Sequence, residues 1–168
     1  MPSQNSYQIQ LIESPVGVLK TCWQDKGLCR LEFTDLPSSA AAEKPVNPPQ
    51  DSESFNKLQW ELEQYFLGKL TKFETVTAHI GTEFQKAVWY QLTQIPYGET
   101  RSYGEVATMI GNPKAARAVG MANNRNPIPI LFPCHRVIGA NGDLVGFGGG
   151  LDRKIHLLGL EKPQNNVT

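Results

Sequence analysis

Residues 102–123, SYGEVATMIGNPKAARAVGMAN, combine two short helical patterns with a turn between them. Ser102 and Glu105 have the spacing of a capping box, in which each side chain satisfies a free backbone N–H at the start of a helix. Gly111-Asn112-Pro113 predicts the end of this helix and a tight turn. A second helix, rich in small residues, is expected over Lys114 to Asn123. Two short helices joined in this way are typical of a helix-turn-helix, although a helical hairpin in a core has the same pattern.

The stretch before this unit predicts another helix. Thr82-Glu83-Phe84-Gln85 is a second capping box, and the helix is expected to continue to about Gln94. Ile95-Pro96-Tyr97-Gly98 should end it, because proline and glycine interrupt a helical backbone. In a helix-turn-helix the second helix enters a groove of DNA, and small side chains on that helix allow close approach.

The first third of the chain is expected to form strands. Tyr7, Ile9 and Leu11 alternate with polar residues, as in a strand that buries one face. Further strands are predicted over residues 18–23 and 28–33. A sheet of short strands that are close in sequence is therefore expected at the N-terminus.

A proline-rich loop over residues 37–49 separates these strands from a predicted helix. Asp51 or Ser52 is expected to cap this helix and Gly68 to end it. Five apolar residues at helical spacing indicate its inner side: Phe55, Leu58, Leu62, Tyr65 and Phe66. Residues 69–80 are expected to be a short extended connection.

The order of these patterns predicts an α+β fold with two domains. Residues 1–80 should form a small domain with an antiparallel sheet and a helix. Residues 81–168 should form a mainly helical domain that contains the helix-turn-helix. The boundary is placed near Gly81, where the composition of the chain shifts.

Composition is that of an ordinary globular protein. Of 168 residues, 40% are hydrophobic, and no apolar run approaches the length of a membrane span. The first residues lack the charged-then-apolar pattern of a signal peptide, so a cytoplasmic location is expected. The cysteines, Cys22, Cys29 and Cys134, are odd in number, which argues for reduced thiols rather than a disulfide framework.

Charge is unevenly distributed along a chain with a formal net charge of zero. Residues 1–80 have seven Lys/Arg and ten Asp/Glu, whereas residues 81–168 have nine Lys/Arg and six Asp/Glu. Within residues 101–136, five basic residues accompany one acid, Glu105. This modest basic patch is compatible with a polyanionic partner, but a solvated surface has the same appearance.

The residues with the clearest chemistry follow the predicted helix-turn-helix. A proline-interrupted apolar run over residues 126–133 leads directly into Cys134, His135 and Arg136. Prolines prevent a regular helix, so we expect a buried, rigid, strand-like segment that delivers Cys134 to a fixed place. Cationic neighbours lower the pKa of a thiol, which makes Cys134 a candidate nucleophile. A structural cysteine, buried as a small apolar residue, is the alternative.

Taken together, these motifs resemble the O6-alkylguanine-DNA alkyltransferases, also called methylated-DNA–protein-cysteine methyltransferases. The resemblance is dense over residues 82–161 and looser over residues 1–80. It depends on four segments in this order: Gly111 to Gly120, Asn126-Pro127, Pro133-Cys134-His135-Arg136-Val137 and Gly148-Gly149-Gly150-Leu151. The fold that it implies has a ribonuclease-H-like roll at the N-terminus and a helix-turn-helix domain at the C-terminus.

The resemblance implies direct repair of DNA by irreversible transfer of an alkyl group from O6-alkylguanine to Cys134. A duplex hides the O6 atom, so the base is expected to flip into a pocket. Each protein would react once, without metal or organic cofactor, and O4-alkylthymine is a further expected substrate. Double-stranded DNA that contains the lesion is the expected partner, and a monomer without an obligate protein partner or a membrane is expected.

Four residues are implied to form the reactive centre. Cys134 is the alkyl acceptor, His135 its base, Glu161 the carboxylate that orients His135, and Asn126 a hinge to the DNA-binding unit. Cys134 and His135 are adjacent, so their side chains should point apart and a water should lie between them. A solvated residue near a helix end is the alternative for Glu161.

Several residues are implied to bind DNA. Tyr103 is expected to contact guanine N3 and the 3′ phosphate. Arg117 is expected to fill the gap that the flipped base leaves, with a phosphate contact as its alternative. Further contacts are expected from the helix-turn-helix: Ser102, Lys114, Ala115, Ala116 and Asn123.

The guanine pocket is expected to be lined by Val137, Phe147, Gly148 and Gly149. Carbonyls of Cys134 and Val137 would accept from the exocyclic amine, and N–H groups near Gly148 would donate to O6. Phe147 and Gly148 stand where many relatives have a Tyr-Ser pair, so a hydroxyl contact is lost. The glycines leave room, and we therefore expect adducts larger than methyl to be accepted.

Other sites and functions are less well supported by the sequence. Cys22, Cys29 and His79 match no strong zinc pattern, so no bound metal is expected. A lesion-binding protein without transfer activity would lack Cys134. A cysteine hydrolase would need a separate, distant histidine and an oxyanion loop, and neither is evident.

Overall fold

The computed structural model describes residues 7–42 and 52–163. The chain divides into two compact units, Met1–Ile80 and Gly81–Thr168, which we call the N-terminal and C-terminal units. In the part of the chain that is described, the first has an antiparallel three-stranded sheet and the second is mainly helical. The predicted α+β class is confirmed.

The N-terminal unit is built on a sheet with the strand order β1-β2-β3. Both strand pairs are antiparallel, as the short connections between them require. Its elements are β1 (Gln8–Ile12), β2 (Leu19–Gln24), β3 (Gly27–Phe33), a 3-10 turn (Ser38–Ala42) and α1 (Ser52–Phe66). Residues 43–49 of the proline-rich loop, together with Gln50 and Asp51, lie outside the described residues.

The buried side of β1 is the opposite of the predicted one. Tyr7 and Ile9 are 56% and 48% exposed, whereas Gln10 and Ile12 lie in the core. Ile12 pairs with the fully buried Leu19, and this pairing places every second residue from Ile12 on the inner face. Apolar alternation therefore identified the strand but assigned its inner face incorrectly.

Helix α1 supplies the other half of this core. Leu58, Leu62 and Tyr65 are buried, as their helical spacing predicted. Glu61 on the same helix is also buried, and its carboxylate accepts from the backbone N–H groups of Glu74 at 2.8 Å and Thr75 at 3.2 Å. These bonds tie the predicted extended connection to α1.

The C-terminal unit places four helices around a two-stranded parallel sheet in the described residues. Its elements are α2 (Glu83–Thr93), β4 (Arg101–Ser102), α3 (Tyr103–Met109), α4 (Ala116–Asn124), a 3-10 turn (Cys134–Arg136), β5 (Val137–Ile138) and α5 (Leu151–Glu161). Both predicted capping boxes are present, from Thr82 to Gln85 and from Ser102 to Glu105. Each capping box marks the point at which a helix begins.

Helices α3 and α4 form the predicted helix-turn-helix. Helix α4 starts at Ala116, two residues later than expected, because Lys114 and Ala115 belong to a turn closed by the Ala115 N–H and the Asn112 carbonyl at 3.0 Å. Val106 of α3 and Val119 of α4 are fully buried. The exposed side of α4 carries Arg117.

The segment before Cys134 is buried as predicted, but it is not strand-like. The N–H of Phe132 donates to the Ile128 carbonyl at 2.9 Å, Ile130 has a positive φ of 74°, and Cys134 begins a 3-10 turn. Three prolines in residues 126–133 have no N–H for a strand ladder, so the chain satisfies its polar groups through local turns instead. Rigidity arises here from turns and burial.

Candidate active site

Cys134 lies at the base of the helix-turn-helix and is 4% exposed. Its N–H donates to the Phe132 carbonyl at 2.7 Å, which begins the tight turn. Its carbonyl accepts from Nδ2 of Asn123 in α4 at 3.3 Å. The thiol is therefore attached through its own backbone to the second helix of the unit.

Asn126 connects the end of α4 to the reactive segment. Its Nδ2 donates to the Phe132 carbonyl at 2.7 Å, and its Oδ1 accepts from the Ile128 N–H at 3.0 Å. The side chain also hydrogen-bonds to Cys134 and favours its thiolate. These contacts fix the backbone between the end of α4 and Cys134.

Burial raises the pKa of the Cys134 thiol from its ordinary value of 9.0 to about 11. The bond from Asn126 and the positive charge of Lys154 oppose this effect but do not outweigh it. The sequence prediction that neighbouring cations activate Cys134 is therefore wrong in detail. Arg136 pairs elsewhere, and a resting thiol needs a base to become a nucleophile.

His135 is fully buried, and its Nε2 lies 2.8 Å from Oε1 of Glu161. Arg136 donates to the same carboxylate, through Nε to Oε2 at 2.9 Å and through Nη2 to Oε1 at 2.8 Å. Glu161 is 2% exposed, so the alternative of a solvated helix end is excluded. One carboxylate thus binds a histidine and an arginine that are adjacent in sequence.

The protonation of this group follows from its surroundings. Burial lowers the pKa of His135, against the opposing effect of Glu161, so the imidazole is neutral. Burial raises the pKa of Glu161, but hydrogen bonds from His135 and Arg136 outweigh it and lower the pKa to about 2. A neutral His135 that donates Nε2–H to the carboxylate leaves Nδ1 as an acceptor. That Nδ1 is buried and has no hydrogen-bond partner among the described residues.

Lys154 is a site residue that sequence reasoning missed. It is fully buried on α5, and its Nζ donates to the carbonyls of Val137 at 2.7 Å and Val145 at 3.3 Å. Its charge favours the Cys134 thiolate, and Nζ lies 5.9 Å from the centre of the Phe147 ring. The available signal was its helical spacing from two other residues on the buried side of α5: Leu157 and Glu161.

Tyr103 occupies the first turn of α3, where the capping box holds it. Its hydroxyl donates to the Val145 carbonyl at 2.9 Å. Burial and the nearby Cys134 raise its pKa, so the phenol remains protonated. The ring also lies against Gly120 of α4, where an added Cβ would come within 3.7 Å.

The other predicted site residues lie in three settings. Lys114 and Arg117 are exposed on the helix-turn-helix, beside partly buried Ala115 and Ala116, while Ser102 caps α3. Asn123 was predicted to contact DNA, but it is 2% exposed and its Nδ2 donates to the Cys134 carbonyl. Its side chain is therefore not available at the surface. Val137 is fully buried, and Phe147, Gly148 and Gly149 belong to the loop before α5.

Comparison with known proteins agrees with this geometry. Residues 8–78 match the 6-O-methylguanine DNA methyltransferase ribonuclease-like domain, and residues 83–163 match the DNA-binding domain of the same family. The chain belongs to the 6-O-methylguanine DNA methyltransferase family. The predicted resemblance is thereby confirmed over most of its length.

Relatives of this methyltransferase family cover nearly the whole chain. The methylated-DNA–protein-cysteine methyltransferase of Methanosarcina acetivorans is 51% identical over 151 residues, which cover 90% of this chain and 96% of the relative. That of Mycobacterium leprae is 48% identical over 153 residues and covers 91% of each chain.

Solved structures in the family share the fold. The Mycobacterium tuberculosis O6-methylguanine methyltransferase superimposes with a TM-score of 0.81 at 44% identity, covering 97% of each chain. The Mycobacterium tuberculosis OGT in complex with DNA superimposes with a TM-score of 0.79 at 45% identity, covering 92% of each chain.

The described residues contain neither a membrane-spanning helix nor a cluster of metal-binding side chains. Among residues 7–42 and 52–163, no helix is long and apolar enough to cross a membrane. The same residues contain no group of three or more His, Cys, Asp or Glu side chains arranged to hold a metal ion.

Proposed function

We propose that this methyltransferase repairs DNA by moving the alkyl group of O6-alkylguanine onto its own Cys134. The observation that carries the proposal is the arrangement around the thiol. Cys134 is buried directly behind the helix-turn-helix, next to a neutral histidine paired with a carboxylate and beside a buried lysine. A nucleophile, a base and a compensating charge are thus within one small region of one unit.

The chemical step is a displacement at the alkyl carbon. The sulfur of the Cys134 thiolate supplies the electron pair for a new C–S bond, while the bond between that carbon and O6 breaks. Its electron pair stays on the guanine, which then takes up a proton. Sulfur supplies both electrons of the new bond, so the step needs no metal or organic cofactor, and the stable thioether means that each protein acts once.

Removal of the thiol proton is required for this step at neutral pH. A thiol with a pKa of about 11 is almost wholly protonated at pH 7, so the reaction depends on a base. We assign that role to Nδ1 of His135, reached from Sγ through a water. Glu161 fixes the tautomer by accepting Nε2–H, and Lys154 stabilises the sulfur anion as it forms.

The position of Cys134 also determines how DNA must bind. A base within a duplex cannot reach a thiol that is 4% exposed, so the damaged guanine has to leave the stack. We assign the groove contact to α4, with exposed Arg117 entering the gap and Lys114 near the phosphates. Tyr103 would turn the backbone at the lesion, after its hydroxyl exchanges the Val145 carbonyl for the nucleotide. Residues 81–168 thus carry DNA binding and alkyl acceptance, and residues 1–80 serve as a structural domain.

The pocket would take adducts larger than methyl and also O4-alkylthymine. Gly148 and Gly149 contribute no side-chain volume, and Phe147 offers an apolar ring beside Lys154. The Val137 carbonyl accepts from Lys154 and has a second lone pair for the exocyclic amine of guanine. The Cys134 carbonyl accepts from Asn123 and from the Val137 N–H, so it would have to exchange one of these donors to accept from the same amine. Reaction with free O6-benzylguanine tests the size of the pocket.

We further propose that the protein acts as a cytoplasmic monomer without an obligate protein partner. All the proposed reactive residues belong to one unit of one chain, so no second copy is needed to complete the site. Analytical ultracentrifugation with and without a lesion-containing duplex tests this assignment.

A labelled duplex tests the proposed reaction directly. The protein is incubated with DNA that carries isotopically labelled O6-methylguanine and is then digested, and the label is located by mass spectrometry. One label per protein on the peptide that contains Cys134 is the expected result. Cys134→Ala should bind DNA but acquire no label, and Cys22→Ala with Cys29→Ala, which changes the other free thiols, should react normally.

The same experiment separates the alternatives. Label that remains on DNA bound by the parent protein indicates a lesion-binding protein without transfer activity. More than one product per protein indicates a turnover enzyme such as a hydrolase. Either result contradicts alkyl transfer to Cys134.

A further inference from the structure

The turn that follows α2 makes three contacts with the Arg136–Glu161 pair and a fourth with Leu160, the residue before Glu161. The Ile95 carbonyl accepts from Nη1 of Arg136 at 2.7 Å, and the guanidinium carbon lies 5.7 Å from the centre of the Tyr97 ring. The Tyr97 hydroxyl donates to the Leu160 carbonyl at 3.3 Å. Gly98 has a φ of 83° and approaches the Glu161 carbonyl so closely that a Cβ would lie 3.0 Å from it.

Residues 95–98 thus contact both members of the Arg136–Glu161 ion pair. Tyr97 and Ile95 surround the guanidinium of Arg136, while Tyr97 and Gly98 contact the backbone at the end of α5, from which Glu161 projects. A cation near an aromatic ring is attracted by its π electrons, most strongly where water is excluded. The ring of Tyr97 therefore restrains the guanidinium against the carboxylate.

We propose that Tyr97 is a positioning residue for alkyl transfer, because its ring holds Arg136 where that cation offsets the charge of Glu161 beside His135. Tyr97 touches no reacting atom. It acts through Arg136 and Glu161 on the histidine, and the inference rests on the proposed role of His135 as base.

The charged and titratable groups around His135 determine how the position of Arg136 would affect the pKa of His135. From α5 come Glu161, which raises the pKa of His135, and Lys154, which lowers it. From its own turn come Arg136, which also lowers the pKa, and the Cys134 thiol. The buried residues of α2 toward this turn are apolar: Val88, Trp89 and Leu92.

These opposing charges determine in which direction loss of the Tyr97 ring would shift the pKa of His135. If Arg136 is free to move away from Glu161, the carboxylate is less compensated and His135 becomes more basic. A larger fraction of His135 is then protonated at a given acidic pH and cannot accept the proton of Cys134. Loss of the Tyr97 ring should therefore move the acid limb of the reaction to higher pH.

Two substitutions of Tyr97 separate the ring from its hydroxyl. Single-turnover rates of alkyl transfer are measured between pH 5 and 8 on a duplex with O6-methylguanine. Tyr97→Leu should shift the midpoint of the acid limb upward by about 0.5 pH unit, a magnitude typical of a partly exposed cation–π contact. Tyr97→Phe retains the ring and should keep the parent midpoint. Tyr90→Leu is the matched control, since Tyr90 is 62% exposed on α2 of the same unit.

An acid limb that stays at the parent pH in Tyr97→Leu overturns the proposal, whatever the absolute rate. An equal shift in Tyr97→Phe overturns it too, since the hydroxyl bond to Leu160 would then be responsible. Tyr97→Met is a second variant without a ring if Tyr97→Leu does not fold. His135→Gln separates a failure of the proposed base from a failure of the role of Tyr97. If His135→Gln keeps the parent acid limb, the assignment of His135 as base is wrong. If His135→Gln loses the acid limb while Tyr97→Leu leaves it at the parent pH, only the role of Tyr97 is wrong.

Discussion

Glu161→Gln should destabilise the protein in a way that depends on pH. The substitution preserves the shape of the side chain but removes the negative charge that receives bonds from His135 and Arg136. The arginine is 6% exposed and would be left without an anionic partner. A buried charge that loses its partner is costly because neither water nor an opposite charge replaces it.

The size of the effect follows from the pKa of Glu161. Burial raises this pKa, but the bonds from His135 and Arg136 lower it from 4.5 to about 2. A carboxyl with a lowered folded-state pKa adds stability that is complete above its ordinary pKa and is lost as the pH falls through the folded value. At 1.36 kcal/mol per unit, the carboxylate contributes about 3 kcal/mol at pH 7. About 1 kcal/mol of this remains at pH 3.

Urea unfolding followed by tryptophan fluorescence measures this difference. The gap in unfolding free energy between the parent and Glu161→Gln should be about 3 kcal/mol at pH 7 and should narrow steadily below pH 4.5. Glu83→Gln is the control, since its side chain is 96% exposed. A gap for Glu161→Gln that is constant from pH 7 to pH 3, or that widens on acidification, would refute the reasoning.

Three further outcomes are expected. Lys154→Met removes the cation that favours the Cys134 thiolate, so single-turnover rates at pH 7 should fall roughly tenfold for each unit by which the thiol pKa rises. The deficit should persist at pH 9, because that pH is still below the pKa of the thiol, and a parental rate in Lys154→Met contradicts this role. Arg117→Ala should slow reaction with duplex more than with free O6-benzylguanine, and equal slowing of both argues against its role in the gap. Asn126→Ala removes two backbone contacts and should lower the unfolding free energy by about 2 kcal/mol while slowing transfer, so parental stability by urea unfolding counts against the hinge.

Local patterns predicted much of the fold correctly. The capping boxes at Thr82 and Ser102 begin helices where expected, since a cap depends only on residues within one turn. The helix-turn-helix and the burial of the Cys134 segment were also predicted correctly. The inner face of β1 and the conformation of residues 126–133 were not, because both depend on what the segment packs against.

Some features of the site were likewise available from the sequence, and others only from the structure. The order of Cys134 and His135, and the resemblance that singled out Glu161, were available from the chain alone. The buried position of Lys154 and the pairing of Arg136 with Glu161 were not. Charged residues are seldom fully buried, so a lysine on a short helix is expected at the surface until its neighbours are known.

What the sequence by itself determined is which groups are present and which local turns they favour: a thiol next to a histidine, behind two short helices. Only the tertiary structure decided their electrostatics. Burial raises the pKa of Cys134 and keeps His135 neutral, and Arg136 binds Glu161 instead of activating the thiol. The physical reason is that desolvation and charge pairing depend on distances across the fold, which the spacing of residues along the chain does not contain.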